Sequence, residues 1–194
     1  MMNKVMIHPT ALIDEGAHIG EGTKVWHFTH VMNGAAIGKE CILGQNVFVA
    51  SGVVLGDRCK VQNNVSLYTG VVCDEEVFIG PSVVFTNIKT PRAFIERKDS
   101  FLPTTVSRGA SIGANATIVC GTHIGSYAMV AAGAVVTHDV GAYELVAGVP
   151  ARVVGYVSKR GCVLCFDQNG NAICPESGAL YQLVEGKIIP LHDE

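Results

Sequence analysis

Large rings, an excess of charge of one sign, and long apolar runs are all scarce in this sequence. Aromatic residues make up 7% of its 194 positions, against 48% for hydrophobic residues as a whole. Small aliphatic side chains and frequent turns, with 22 glycines among them, therefore carry the fold in place of a few large rings. The formal net charge of −3 argues against a broad nucleic-acid footprint. No basic run is long enough to suggest a membrane surface or a polyanion. The start, MMNKVMIHPT, has no apolar core of signal-peptide length, and no later run approaches a membrane span. A cytoplasmic location is the expectation, and with it reduced thiols at the seven cysteines. The length suits one moderate domain with a small appendage.

What the sequence does have is a rhythm. An aliphatic residue stands at every sixth position from Ile7 through Ile13, Ile19 and Val25 to Ile79 and Phe85, and again from Val106 to Val136. The fourth residue after each is small or branched, as at Ala11, Thr23, Cys41, Val53 and Ala110. Hexads suit neither the helical period nor simple strand alternation over long runs. They suit short strands joined by tight corners, three hexads to a triangular coil, each coil burying its apolar face only against the next. Glycine or asparagine just before the small position supports such corners, because both tolerate a left-handed backbone: Gly16, Gly34, Asn46, Gly52, Asn64, Gly70, Asn115 and Gly133. Cys41, Cys59 and Cys73 fall on inward positions, where a small hydrophobe suffices.

Stacked coils can be read as columns of residues eighteen apart. Asn33, Ser51, Thr69 and Asn87 form one outward column, Met32, Ala50, Tyr68 and Thr86 its neighbour, and His27, Gln45, Asn63 and Pro81 a third. The first column reads either as a polar ladder whose members satisfy one another or as a site topped by Asn87. The rhythm stops between Ile79 and Val106, where a segment carries Lys89, Arg92, Glu96, Arg97, Lys98 and Asp99. A regular scaffold that lets out one polar, basic loop does so for a ligand. His27 and His30 lie below that loop and read equally as site lining or as packing; His8, His18, His123 and His138 are scattered.

Past the last coil comes YELVAGVPARVVG, in which the Arg152 guanidinium is suited to a phosphate. Gly161–Glu194 reads as two short hairpins, turning at Asn169-Gly170 and Glu185-Gly186. Its Cys162-x2-Cys165-x8-Cys174-x2-Ser177 spacing looks like a zinc ribbon short of one thiolate. Ser177 is a poor fourth ligand and His192 the only other candidate, so a ribbon-shaped hairpin without metal is the expectation.

The hexads from Ile7 to about Val140 resemble the left-handed β-helix acyltransferases of the hexapeptide-repeat family, and GVPAR resembles that family's ending along the coenzyme A channel. The implied fold is an all-β, left-handed parallel β-helix over 1–142 with a loop extruded at 88–105. A coenzyme A-proximal segment follows at 143–160 and a cysteine-containing hairpin tail at 161–194. Over roughly residues 7–160 the segments KVWHF, LGQNVFV, KVQNNVS, GPSVVFTN, PRAFIERKD and GANATIVCG are more narrowly similar to the UDP-2-acetamido-3-amino-2,3-dideoxy-D-glucuronate N-acetyltransferases. That resemblance implies acetyl transfer from acetyl-CoA to the 3-amino group of a UDP-linked uronic acid, for bacterial surface polysaccharide (O-antigen), by a homotrimer. It also implies that Asn87 orients the amine. Gln62, Asn63, Thr86, Arg92, Glu96, Arg97 and Lys98 would serve the sugar nucleotide. Gly113, Ala131, Gly133, Gly148, Pro150 and Arg152 would serve acetyl-CoA, and no metal is expected. The alternatives are an acetyltransferase for another amino sugar nucleotide with His27 or His30 as base, or a non-catalytic β-helix scaffold. A zinc-dependent carbonic anhydrase on the same scaffold is disfavoured, because the columns do not converge three histidines.

Overall fold

The computed structural model describes residues 4–191. Short parallel strands, most of two residues, stack into three flat faces of nine, seven and six strands that wrap a triangular prism. This is a left-handed parallel β-helix. The first face runs from Met6–Ile7 through Met129–Val130 to its last two strands, Glu144–Gly148 and Ala151–Tyr156, the second from Leu12–Ile13 to Val135–Val136, and the third from His18–Ile19 to His123–Ile124. The register is the eighteen-residue column: Ile7 pairs with Val25, and Val61 with both Leu43 and Ile79. Backbone bonds such as His8 N–H to Val25 O at 2.9 Å join each coil to the next. Inward residues such as Val31, Leu43, Val49 and Ile79 are fully enclosed.

The corners explain why two-residue strands suffice. Every corner glycine and asparagine picked out in the sequence has positive φ, from Asn46 at 58° to Gly70 at 96°. The same slot at the intervening corners holds Phe28, Glu40, Arg58, Glu76, Ser82 and Tyr127, which are left-handed too. The stacking geometry thus imposes the conformation on residues that resist it. Cys41, Cys59 and Cys73 are buried as expected, and the first two donate S–H to carbonyls of the neighbouring coil, Gly56 O at 3.1 Å and Asp74 O at 3.0 Å. They do what Thr23 and Thr29 do lower down, where hydroxyls donate at 2.8 Å to Gly38 O and Gly44 O.

The extruded loop leaves after Phe85, and the ladder resumes at Thr104–Val106, two residues earlier than the sequence suggested. Leu102 N–H donates to Asn87 O at 3.0 Å and pinches the neck. Beyond the last coil, Glu144–Gly148 joins the first face in parallel and Ala151–Tyr156 returns antiparallel, with a cis Val149-Pro150 bond between them. The tail is one three-stranded antiparallel meander, Asn171–Ile173, Leu180–Val184 and Lys187–Pro190. The hairpin at Glu185-Gly186 is as expected. At Asn169-Gly170 there is only a hydrogen-bonded turn without an upstream strand, and residues 174–179 make the other connection. The tail has its own core of Leu164, Ala172, Cys174, Tyr181 and Ile188, to which Tyr143 and Tyr156 are packed.

Candidate active site

Asn87 stands at the corner between the second and third faces, two residues past Phe85 and at the mouth of the loop. Its half-buried side-chain amide makes no hydrogen bond within the described residues. The ladder reading of its column therefore stops below it: Thr69 Oγ1 donates to Ser51 O at 3.0 Å, and Asn87 takes no part. Thr86 is tied into the scaffold, its Oγ1 accepting from Cys120 N–H at 2.9 Å. On the loop, Glu96 and Lys98 form an exposed ion pair at 2.9 Å, and Arg92 donates to Pro91 O. Arg97 differs from both, because its Nε is buried and has no partner.

Gln62 and Asn63 lie at the other end of the second face, at the corner between the first and second faces. Gly113, Ala131 and Gly133 occupy the same corner higher up. A single chain therefore does not bring the two groups together; they flank opposite edges of one face. That face presents Leu12, His30, Phe48, Ser66, Val84, Thr117 and Val135 outward, without a lysine, arginine or carboxylate among them. Along the helix axis the groups are ordered. Val61 pairs with Ile79 and Ile79 with Ile112, so Asn87, on the coil of Ile79, is one rung above Gln62 and one below Gly113. The column holding Gln62 continues upward as Gly80, Gly113 and Ala131, so above Gln62 it carries nothing larger than a methyl, while below it stand Gly44 and Trp26.

Arg152 sits at the end of the solenoid and lines a cavity of about 380 Å³ with Thr137, His138 and Asp139. The loop shifts the column spacing to 33 residues, Phe85 opposite Ile118, and eighteen then resumes, Ile118 opposite Val136. The column of Asn87 thus continues through buried Cys120 to His138. Sequence reading stopped at Asn87 because it counted eighteen throughout; adding the loop length would have found both. His27 and His30 lie three rungs below the coil of Asn87, about 14 Å at the ordinary strand spacing. His30 Nε2 is 3.0 Å from Asp14 Oδ1, and His27 stacks on His8 with ring centroids 3.5 Å apart.

In the tail, Cys174 is enclosed, with its sulfur 3.2 Å from Ser158 Oγ, while Cys165 is exposed. Burial works to raise the Cys174 thiol, but hydrogen bonds from the Ser158 and Ser177 hydroxyls and the Ser177 and Glu176 amides outweigh it and bring the pKa to about 7. Cys162 shifts the other way, upward, through desolvation and its bond to Cys174. Among the described residues no three His, Cys, Asp or Glu side chains are gathered closely enough to hold a metal, and His192 lies outside the described residues.

Comparison with known proteins agrees with this architecture. The profile described as "Hexapeptide repeat of succinyl-transferase" matches residues 34–69 and 103–138, and that described as "Bacterial transferase hexapeptide (six repeats)" matches 16–51. The chain is 45% identical over 185 residues, 95% of its length and 94% of the relative's, to the dTDP-3-amino-3,6-dideoxy-alpha-D-galactopyranose 3-N-acetyltransferase of Aneurinibacillus thermoaerophilus. An acyl-[acyl-carrier-protein]–UDP-N-acetylglucosamine O-acyltransferase of Brucella ovis is 46% identical over 46 residues, 24% of this chain and 16% of that protein. Among solved structures, the acetyltransferase domain of PglB from Neisseria gonorrhoeae in complex with acetyl coenzyme A superposes with a TM-score of 0.52 at 25% identity, over 79% of this chain and 59% of that one. The chain belongs to the hexapeptide-repeat transferases, and within them it is an acetyltransferase. The similarity to the Aneurinibacillus enzyme extends into the cysteine-containing tail, which the sequence-based resemblance had left out.

Proposed function

We propose that the protein transfers the acetyl group of acetyl-CoA to the 3-amino group of a nucleotide-linked amino sugar. The observation that carries this is the free amide of Asn87 at the loop mouth, one rung above Gln62 and one below Gly113, where the column above Gln62 at the other corner is only glycine and alanine. The amine lone pair attacks the thioester carbonyl, the C–N bond forms, the C–S bond breaks, and the departing thiolate takes up a proton. A sugar amine is partly neutral near physiological pH, so the work left to the protein is alignment and stabilisation of the oxyanion. Asn87 Oδ1 accepts an N–H of the amine and points its lone pair at the carbonyl. The thin pantetheine arm runs along Gly113, Ala131 and Gly133, and Gly148, Pro150 and Arg152 hold the phosphate end.

The site is completed in a homotrimer packed through the uncharged second face, which sets the Asn87 corner of one copy against the Gln62 corner of the next. The chain then divides into the β-helix, the coenzyme A-proximal segment 143–160, and the tail from 161. Similarity over nearly the whole chain favours a dTDP-linked 3-amino-3,6-dideoxyhexose as acceptor. A second reading, a UDP-linked 2-acetamido-3-amino uronate for bacterial surface polysaccharide, is favoured by the buried, unpartnered Arg97 Nε, which a carboxylate would satisfy. The experiment is a panel of nucleotide amino sugars with acetyl-CoA, read by thiol release. Turnover of a 3-amino sugar and none of the 4-amino isomers supports the proposal, while thiol release with no sugar on the panel contradicts it.

A further inference from the structure

None of the seven cysteines takes part in the acetyl transfer proposed above, and their surroundings divide them into two kinds. Cys41, Cys59, Cys73 and Cys120 are enclosed in the solenoid, where no reagent in solution reaches their sulfurs. Cys162, Cys165 and Cys174 belong to the tail, and they are half-buried, exposed and enclosed in that order. Two turns bring Cys162 and Cys174 together. The first leaves the last solenoid strand, Ala151–Tyr156, and is closed by Ser158 N–H donating to Cys162 O and Gly161 N–H donating to Ser158 O, both at 2.8 Å. The second, residues 174–179, joins two strands of the tail meander. It is closed by Cys174 N–H donating to Ala179 O and Gly178 N–H donating to Cys174 O, both at 2.9 Å.

Ser158 links the two turns. It is 1% exposed, and its Oγ accepts Cys162 N–H at 3.2 Å, which leaves its O–H to donate to Cys174 Sγ, also at 3.2 Å. The thiol of Cys162 is in turn hydrogen-bonded to that of Cys174. It also lies 3.6 Å from Glu176 Oε2, and the other oxygen of that carboxylate is 3.8 Å from Arg160 Nη1. The two sulfurs are unequal. Cys174 is the stronger nucleophile, because the hydrogen bonds around it favour the thiolate, but it is enclosed. Cys162 is the weaker nucleophile, and its sulfur is the one that solvent reaches. Cys165 is exposed and makes no hydrogen bond within the described residues.

We propose that Cys162 and Cys174 form a redox modification site, joined into an intramolecular disulfide by a small disulfide in solution and returned to thiols by a small thiol. The first exchange takes place at the accessible sulfur. A bond forms between Cys162 Sγ and one sulfur of the reagent, the reagent's own S–S bond breaks, and the Cys162 proton passes by way of the Glu176 carboxylate to the departing thiolate. The Cys174 thiolate then attacks Cys162 Sγ and displaces the second half of the reagent, which takes up a proton from water. Two protein thiols are oxidised and one small disulfide is reduced to two thiols. The cross-link ties the turn at the end of the solenoid to the turn inside the meander. It thereby clamps the tail's core, against which Tyr143 and Tyr156 pack, to the last strands of the β-helix. This site is independent of which sugar accepts the acetyl group.

The test incubates the full-length protein with excess glutathione disulfide at mildly alkaline pH, quenches with acid, and maps the cysteines by alkylation and peptide mass. The expected result is a Cys162–Cys174 cross-link that dithiothreitol reverses, with Cys41, Cys59, Cys73 and Cys120 alkylated only after unfolding. The thermal midpoint of the oxidised protein should be higher by about 5–10 °C, the order expected for closing a loop of this size. Cys165→Ser should leave both results unchanged. Cys162→Ser should leave Cys174 unmodified and abolish the shift. Thiols that stay free, an adduct retained on Cys162, a Cys162–Cys165 bond, or a cross-link without a higher midpoint each overturns the inference. Should Cys162→Ser fail to fold, the mapped cross-link and the two midpoints of the parent protein decide the matter without it.

Discussion

Within the described residues the Asn87 side-chain amide makes no hydrogen bond, and the buried Arg97 Nε has no partner. An amide cannot serve as a general base, so the role proposed for Asn87 is orientation of the amine. Asn87→Ala should lower kcat by about 10²-fold, the usual consequence of a misaligned nucleophile, with the KM for acetyl-CoA nearly unchanged. Steady-state kinetics across pH check this. If His30 or His27 were the base, their alanine variants would be the inactive ones. The loop cations should differ among themselves. Arg97→Ala should cost roughly 2–5 kcal/mol of sugar-nucleotide binding if it faces a desolvated anion. Lys98, with its side chain 80% exposed and already paired with Glu96, should cost under about 1 kcal/mol. Equal effects of the two on KM would remove that distinction.

At the scale of the element, the coil corner is where sequence and conformation are most tightly bound. Gly20, Gly38 and Gly56 stack in one column, and a Cβ on Gly38 would stand 2.6 Å from the backbone of Gly56. Gly38→Ala should therefore destabilise the solenoid by about 1–3 kcal/mol, lowering Tm by roughly 2–4 °C for each; calorimetry without such a shift would mean the coils are not so closely stacked. The tail makes a pH prediction. The Cys174 pKa is brought down to about 7 from its ordinary 9.0, so its stabilising contribution is complete above pH 9 and is lost as pH falls through 7. Thermal midpoints should rise between pH 7 and 9 more steeply in the parent than in Cys174→Ala, and parallel curves would contradict the assigned hydrogen bonds. The coils were legible because each hexad repeats the same inward and corner choices, so errors at one repeat are corrected by the next. The tail was less so: Asn169-Gly170 has the local chemistry of a hairpin, but its upstream leg packs Leu164 and Phe166 into the tail's core and forms no strand with Asn171–Ile173. Cys120 and His138 were missed because a loop resets the column arithmetic without leaving a local mark.

For the whole molecule the decisive feature is that the candidate residues lie on two corners either side of one uncharged face. The periodicity placed each residue on its corner, but no single-chain pattern says which corner of a second copy meets it. The proposed three-fold packing through that face would make each site from two chains, and this is the claim on which the account turns. The direct measurement mixes two impaired proteins, Asn87→Ala and the double variant Gln62→Ala with Asn63→Asp, after reversible dissociation. Each alone is nearly inactive at substrate well below KM. With random reassembly of trimers, one interface in four pairs an intact Asn87 corner with an intact Gln62 corner. The account predicts recovery of about a quarter of the parent activity. A mixture no more active than its components, under conditions where subunit exchange is shown by mass, would contradict it.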